Sequence, residues 1–202
     1  MKLIVSNKAT SPWPFRAWLA LRYFDIPFEL EVLDLTLPNK AERLKAASPS
    51  ARLPILIDGQ IEVWESLAII EYAAERFPDK AIWPRDVAKR AHARAVSNEM
   101  HAGFAALRKN CVFNMNKAPQ KGELDAAAQA DVARIVEIWA ETRRKFAGAG
   151  PFLYGDFSAA DAMYAPIVSR FHSYQVSVPA DAQAYMETMM ALAAWKEWAA
   201  AD

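Results

Sequence analysis

Ser50-Ala51-Arg52-Leu53-Pro54-Ile55-Leu56-Ile57-Asp58-Gly59-Gln60-Ile61-Glu62-Val63-Trp64-Glu65-Ser66-Leu67-Ala68-Ile69-Ile70-Glu71-Tyr72 is the stretch whose reading decides the fold. Ile55–Ile57 is a short aliphatic run that reads as a strand. Asp58-Gly59 is a hairpin signal, because glycine accepts the positive φ that such a turn needs. Ile61–Val63 is the returning strand. At Glu65 the period changes: Leu67, Ile70, Ala74 and Phe77 recur at helical spacing, which predicts an amphipathic helix over Glu65–Arg76. A hairpin followed at once by such a helix has a place to bury the helix's apolar stripe, against the sheet itself.

The N-terminal side completes a layer. Leu3–Ser6 reads as a short strand, and Phe15–Tyr23 carries apolar residues at helical spacing until Pro27. Phe28–Leu35 alternates Phe28, Leu30 and Val32 against Glu29 and Glu31, the pattern of a half-buried strand. Asn39–Ala47 reads as a short helix ended by Ser48-Pro49. The order is β-α-β-α-β-β-α over residues 1–79. Residues 80–87, with Trp83 and Pro84, form a linker. Residues 88–202 then carry almost no strand signal and read as an all-helical domain. Its expected helices are Ala88–Asn114, Glu123–Ala147, Ser158–Tyr174 with a kink at Pro166, Ala182–Met190 and Leu192–Ala200.

Bulk properties exclude several functions. The 202 residues are 53% hydrophobic and 24% charged, a globular mixture. The 24 basic and 24 acidic side chains cancel, so no footprint for nucleic acid or an anionic membrane appears. Cys111 is the one cysteine, which fits a reducing compartment, and the short apolar run in Met1–Lys8 is no signal peptide. A cytoplasmic protein is expected. His92, His101 and His172 lack metal-ligand spacing and read as surface or packing residues, so no metal site is expected. Trp139, Trp195 and Trp198 read as core aromatics.

Three elements carry possible chemistry. Ser11 lies in Thr10-Ser11-Pro12-Trp13-Pro14, on a proline-restricted turn at a helix start, where backbone N–H groups and the positive dipole end favour an anion. A cis Leu53–Pro54 bond would turn the Leu53 backbone outward to pair with a peptide ligand. Ser66 and Glu65 open a helix and suit a carboxylate and an ammonium respectively. Each also has an ordinary structural reading: Ser11 and Ser66 as helix caps, Pro54 as a trans proline opening an edge strand.

Taken together, in this order and spacing, the three resemble the glutathione site of the soluble glutathione transferase superfamily. The carrying strings are Ser11-Pro12-Trp13 before Arg16-Ala17-Trp18-Leu19-Ala20-Leu21, then Arg52-Leu53-Pro54-Ile55-Leu56, then Glu65-Ser66-Leu67-Ala68-Ile69-Ile70-Glu71-Tyr72. Ser158-Ala159-Ala160-Asp161 is similar to the family's capping box in the helical domain, a folding element. The resemblance implies a thioredoxin-like N-terminal domain, glutathione as co-substrate, and a homodimer. It gives Ser11 the role of hydrogen-bond donor to the glutathione thiolate. Leu53 with Pro54 would pair with the cysteinyl backbone. Glu65 and Ser66 would hold the γ-glutamyl end, with Arg52 and Lys40 near the glycyl end.

The stripe Met100, Phe104, Leu107, Arg108, Cys111 marks one face of the first long helix, which in this family faces the electrophile pocket. Phe104 and Arg108, with Trp13 on the other wall, are therefore expected to touch a hydrophobic electrophile. The departures narrow the class. Ser6, Asn7 and Lys8 stand where tyrosine-type members have their tyrosine, and Ser11 stands where others have cysteine. Zeta-class maleylacetoacetate isomerases carry Ser-Ser-Cys at Ser11-Pro12-Trp13 and an arginine where this chain has Ser173, with Arg170 one turn earlier. The expected activity is conjugation of glutathione to an electrophile. Glutathione-dependent isomerisation and non-catalytic ligand binding are the alternatives.

Overall fold

The computed structural model describes residues 1–200; residues 201 and 202, the end of the expected helical domain, lie outside them. Four strands form one sheet in the order β2-β1-β3-β4: β1 (Lys2–Val5), β2 (Glu29–Val32), β3 (Ile55–Asp58) and β4 (Ile61–Trp64). β1 and β2 are parallel, joined by the crossover helix α1 (Pro12–Tyr23), whereas β1–β3 and β3–β4 are antiparallel. The β3–β4 hairpin closes with Asp58 opposite Ile61, and Gly59 takes φ +63° in the turn.

Strand alternation splits the sheet's apolar residues between two layers. Leu3, Val5 and Leu56 join the main core with residues of α1 and α3 (Ser66–Arg76). Ile4 and Ile55 point the other way, with Leu33, onto Leu44 and Ala47 of α2 (Lys40–Ala47). The predicted strand over Phe28–Leu35 shrinks to Glu29–Val32 because β2 is an edge strand, and Val32 is half exposed. The buried face of α3 also differs from the predicted stripe. Ser66, Ile69, Ile70 and Ala73 are buried, while Leu67, Ala74 and Phe77 are partly covered, because α3 packs on α1 as well as on the hairpin.

The remaining helices are α4 (Val87–Ala102), α5 (Ala105–Asn110), α6 (Ala126–Thr142), α7 (Ala159–Ser173), α8 (Ala180–Ala191) and α9 (Ala193–Ala199). The single helix expected over Ala88–Asn114 is two. At Gly103 a Cβ would lie 2.8 Å from the Glu99 carbonyl oxygen, and Phe104 has φ +61°, so the helical path breaks there. The stripe from Met100 to Cys111 is therefore not one helix face. α6 starts where the Asp125 carboxylate accepts the Ala128 N–H at 2.8 Å. It gives way to a π-helical turn over Arg143–Ala147 instead of continuing as α-helix.

α7 is the axis of the helical part, buried along almost its whole length and packed on α1, α4 and α8. It remains helical through Pro166. Its N-terminus is the capping box seen in the sequence. The Asp161 carboxylate accepts the Ser158 N–H (2.9 Å), the Ser158 hydroxyl (2.9 Å), the Leu153 N–H (3.1 Å) and the Tyr185 hydroxyl (3.1 Å). Trp139, Trp195 and Trp198 are all buried. The two parts are also tied by Glu71 of α3, whose carboxylate accepts from Arg94 Nε (2.8 Å) and Nη2 (2.9 Å) and from Trp83 Nε1–H (3.1 Å). Among the described residues no helix is long and apolar enough to cross a membrane.

Candidate functional site

The turn that carries Ser11 is built by Asn7. Its side-chain oxygen accepts the Thr10 N–H (3.0 Å) and hydroxyl (3.1 Å), and its carbonyl accepts the Ser11 N–H (3.1 Å). The helical part clamps the same turn: Trp198 Nε1–H donates to the Lys8 carbonyl (3.1 Å) and the Met115 N–H to the Ala9 carbonyl (2.8 Å). Ser11 occupies the N-cap position of α1, yet its side chain makes no capping hydrogen bond. A cap hydroxyl accepts from the second or third helical N–H. Here the third residue is Pro14, which has none, leaving Trp13 as the one possible donor. The half-buried Ser11 hydroxyl is thus uncommitted.

Beside this turn lies an open cavity of about 310 Å³, lined by Trp13, Arg52, Leu53, Pro54, Glu65 and His101. The Leu53–Pro54 bond is cis. Glu65 precedes α3 with φ +69°, a left-handed conformation that a non-glycine residue holds only when its surroundings impose it. Ser66 follows, fully buried, and its hydroxyl oxygen has no hydrogen-bond partner among the described residues. As the first residue of α3 it also has a backbone N–H without an intrahelical acceptor.

The structure thus brings Trp13, Arg52, Leu53, Pro54 and Glu65 to one cavity, with Ser66 next to Glu65 in the chain and Ser11 two residues before Trp13. Lys40 is exposed at the start of α2, outside the cavity lining. Phe104 is buried at the start of α5, whereas Arg108 reaches Trp13, its guanidinium 5.1 Å from the ring centroid. His101 is the residue that sequence reading placed among surface and packing histidines. It packs edge-on against Trp13 at 5.2 Å between ring centroids, and its Nε2 is 3.7 Å from a Glu65 carboxylate oxygen. Burial, with Arg16 nearby, holds its pKa below the ordinary histidine value, so the ring is neutral at pH 7. No signal in α4 distinguished it, because the cavity joins residues far apart in sequence.

Cys111 is fully buried at the end of α5, and burial pushes its thiol pKa up, so it is no reactive thiolate.

The family model described as the glutathione S-transferase N-terminal domain matches residues 10–76, and the one described as its C-terminal domain matches residues 124–201. Together they span most of the chain. The chain belongs to the glutathione S-transferase superfamily. A probable maleylacetoacetate isomerase of Caenorhabditis elegans is 36% identical over 116 residues, 57% of this chain and 53% of that protein. A maleylacetoacetate isomerase of Rattus norvegicus is 28% identical over 176 residues, 85% of this chain and 78% of that protein. The first match thus spans about half of the relative's length. A Burkholderia glutathione transferase homologue crystallised with glutathione superposes with TM-score 0.74 at 24% identity, covering 98% of this chain and 95% of that one. That likeness establishes the fold: a thioredoxin-like N-terminal domain followed by a helical C-terminal domain.

Proposed function

We propose that the protein is a glutathione transferase whose cavity between Trp13, Leu53 and Glu65 holds glutathione and whose Ser11 hydroxyl hydrogen-bonds its thiolate. In this reading residues 1–79 are the glutathione-binding domain and 88–202 the helical domain. The observation that carries it is one cavity lined by Trp13, Leu53 and Glu65, with the uncommitted Ser11 hydroxyl two residues before Trp13 and the buried Ser66 hydroxyl, unpartnered among the described residues, next to Glu65 in the chain. A buried hydroxyl without a partner costs about 1–3 kcal/mol, and a ligand carboxylate at the α3 N-terminus removes that cost. Leu53 offers its backbone to the cysteinyl unit, Glu65 its charge to the α-ammonium, and Arg52 stands toward the glycyl end. Lys40, being outside the lining, is the weakest member of this set. Thiolate stabilisation raises the nucleophile's reactive fraction, and the shared cavity holds it against the electrophile.

Ser66→Ala separates ligand binding from folding. Calorimetry should show glutathione affinity reduced about tenfold, with Tm unchanged or higher because an unsatisfied buried group is gone. Unchanged affinity would remove Ser66 from the site, and absence of glutathione binding to the wild-type protein would end the reading.

The names of two relatives favour a second reading, a glutathione-dependent isomerase of maleylacetoacetate type. Cis-to-trans conversion of a maleyl substrate without consumption of glutathione distinguishes it from conjugation. Glutathione binding with no turnover of either kind would leave a binding protein. A detoxifying role in the cytoplasm accords with conjugation. A homodimer accords with the exposed Ile61 and Trp64 on edge strand β4 and Val87 at the start of α4.

A further inference from the structure

We infer that two N–H groups of the helical part, the Trp198 indole and the Met115 backbone amide, are positioning groups for the reaction: they fix the turn from which the Ser11 hydroxyl meets the thiolate. This rests on the reading of Ser11 as the thiolate's hydrogen-bond donor. The hydroxyl makes no capping bond, so no side-chain contact with α1 sets its direction. Its placement follows from the backbone of residues 7–11. That backbone is a single turn, closed by the Ser11 N–H on the Asn7 carbonyl, with Lys8, Ala9 and Thr10 between them. The Asn7 side chain holds the Thr10 N–H and hydroxyl. Among the described residues the Lys8 and Ala9 carbonyls have no partner within the turn. Each is met by a donor from far along the chain: Trp198 Nε1–H at 3.1 Å for Lys8, the Met115 N–H at 2.8 Å for Ala9.

Both donors are held firmly. Trp198 is 1% exposed and packs on Phe15 and Trp18 of α1, at 5.5 and 5.0 Å between ring centroids. The indole is thus registered on the same helix whose N-cap is Ser11. The Arg22–Glu197 ion pair (2.9 Å) and Trp195 edge-on to Phe15 (5.1 Å) hold α9 to α1 independently. Met115 is the second residue of the turn Asn114–Lys117, closed by the Lys117 N–H on the Asn114 carbonyl at 3.2 Å. Phe113, two residues earlier, is buried against Phe15.

Hydrogen bonds of this kind often serve stability alone. Here they end three and two residues before Ser11, on the one segment that decides where its hydroxyl lies. A catalytic group displaced by about 1 Å loses on the order of a hundredfold in rate, so even a partial release of the turn has a readable effect.

Trp198→Phe removes the first donor and keeps an aromatic ring on Phe15 and Trp18. The thiol pKa of bound glutathione, followed by thiolate absorbance, is expected to rise by about 0.5–1 unit, a threefold to tenfold loss of thiolate stabilisation. With 1-chloro-2,4-dinitrobenzene as the electrophile, kcat should fall by a similar factor while KM for glutathione stays within about twofold. Trp195→Phe is the control: it loses comparable packing on the same helix but donates nothing to the turn among the described residues, so its Tm should fall alike while thiol pKa and kcat hold. Met115→Pro removes the second donor, since proline has no N–H and suits the second position of a β-turn. Met115→Ala keeps that N–H and controls for the lost side chain, whose sulfur accepts the Ser169 hydroxyl at 3.3 Å. In a Ser11→Ala background neither Trp198→Phe nor Met115→Pro should raise the thiol pKa or lower kcat further, because both act through the hydroxyl. Wild-type thiol pKa in the folded Trp198→Phe and Met115→Pro variants, or an undiminished effect when the Ser11 hydroxyl is gone, overturns the positioning role and leaves the Ser11 reading intact. Wild-type thiol pKa in Ser11→Ala itself overturns the Ser11 reading and this one with it. If Trp198→Phe fails to fold, the Met115 pair decides.

Discussion

Replacing Ser11 with alanine is expected to lower the conjugation rate roughly tenfold to a hundredfold. That range corresponds to one hydrogen bond to a charged acceptor, about 1.5–3 kcal/mol of stabilisation. Glutathione affinity should stay near wild type, because the groups proposed to hold its ends belong to Leu53, Glu65 and Ser66. The thiol pKa of bound glutathione, followed by thiolate absorbance, should rise toward the free-thiol value of about 8.5. Stability should change by no more than about 0.5 kcal/mol, since the hydroxyl makes no cap bond to lose. A variant with wild-type kcat and wild-type thiol pKa would reduce Ser11 to a turn residue. A variant that instead lost several degrees of Tm would show that its hydroxyl supports the α1 N-terminus after all.

The largest stability effect is expected at Asp161. Asp161→Ala strips two buried N–H groups and two hydroxyls of their acceptor at the head of the central helix. A loss on the order of 4 kcal/mol follows, with a fall in Tm of roughly 10 °C for a chain of this size. Asp161 also sets a pH dependence. Burial, working against its four donors, lifts its pKa from 3.8 to about 6. Between those values the folded state keeps a proton that the unfolded state has released. The residue's contribution is therefore fully present below pH 4 and declines by roughly 3 kcal/mol as pH rises through 6. Asp161→Asn does not titrate, so the stability difference between wild type and this variant should shrink across that window. A difference that stays flat in urea unfolding from pH 4 to 7 would show that the folded carboxyl titrates in its ordinary range.

Asp161 and Ser11 also show how differently the two kinds of residue were legible. The capping box could be read from Ser158-Ala159-Ala160-Asp161 because its partners lie within one helical turn, and local spacing fixes their geometry. The hairpin at Asp58-Gly59 and the period change at Glu65 were legible for the same reason. The break at Gly103-Phe104 was not: helical periodicity continues across it, and the close approach of the Glu99 carbonyl becomes visible only in three dimensions. The face of α3 was misjudged because two neighbours cover it, and a stripe predicted from one sequence presumes a single covered side.

By itself, then, the sequence determined the order of elements, the α/β and all-helical halves, and the strings around Ser11, Leu53 and Glu65, since each depends on contacts within a few residues. The tertiary structure decided what those strings meet. It set Trp198 and Met115 against the Ser11 turn, brought His101 to Glu65 and Trp13, and left the Ser66 hydroxyl without a partner among the described residues. It also brought Arg16, Arg108 and Arg170, from α1, α5 and α7, close enough for their charges to act on one another, with Arg16 Nε and Nη1 and Arg170 Nη1 buried without partners among the described residues. Such a grouping of charges has no local signature, because it is a property of which side chains share a low-dielectric space and not of their spacing along the chain.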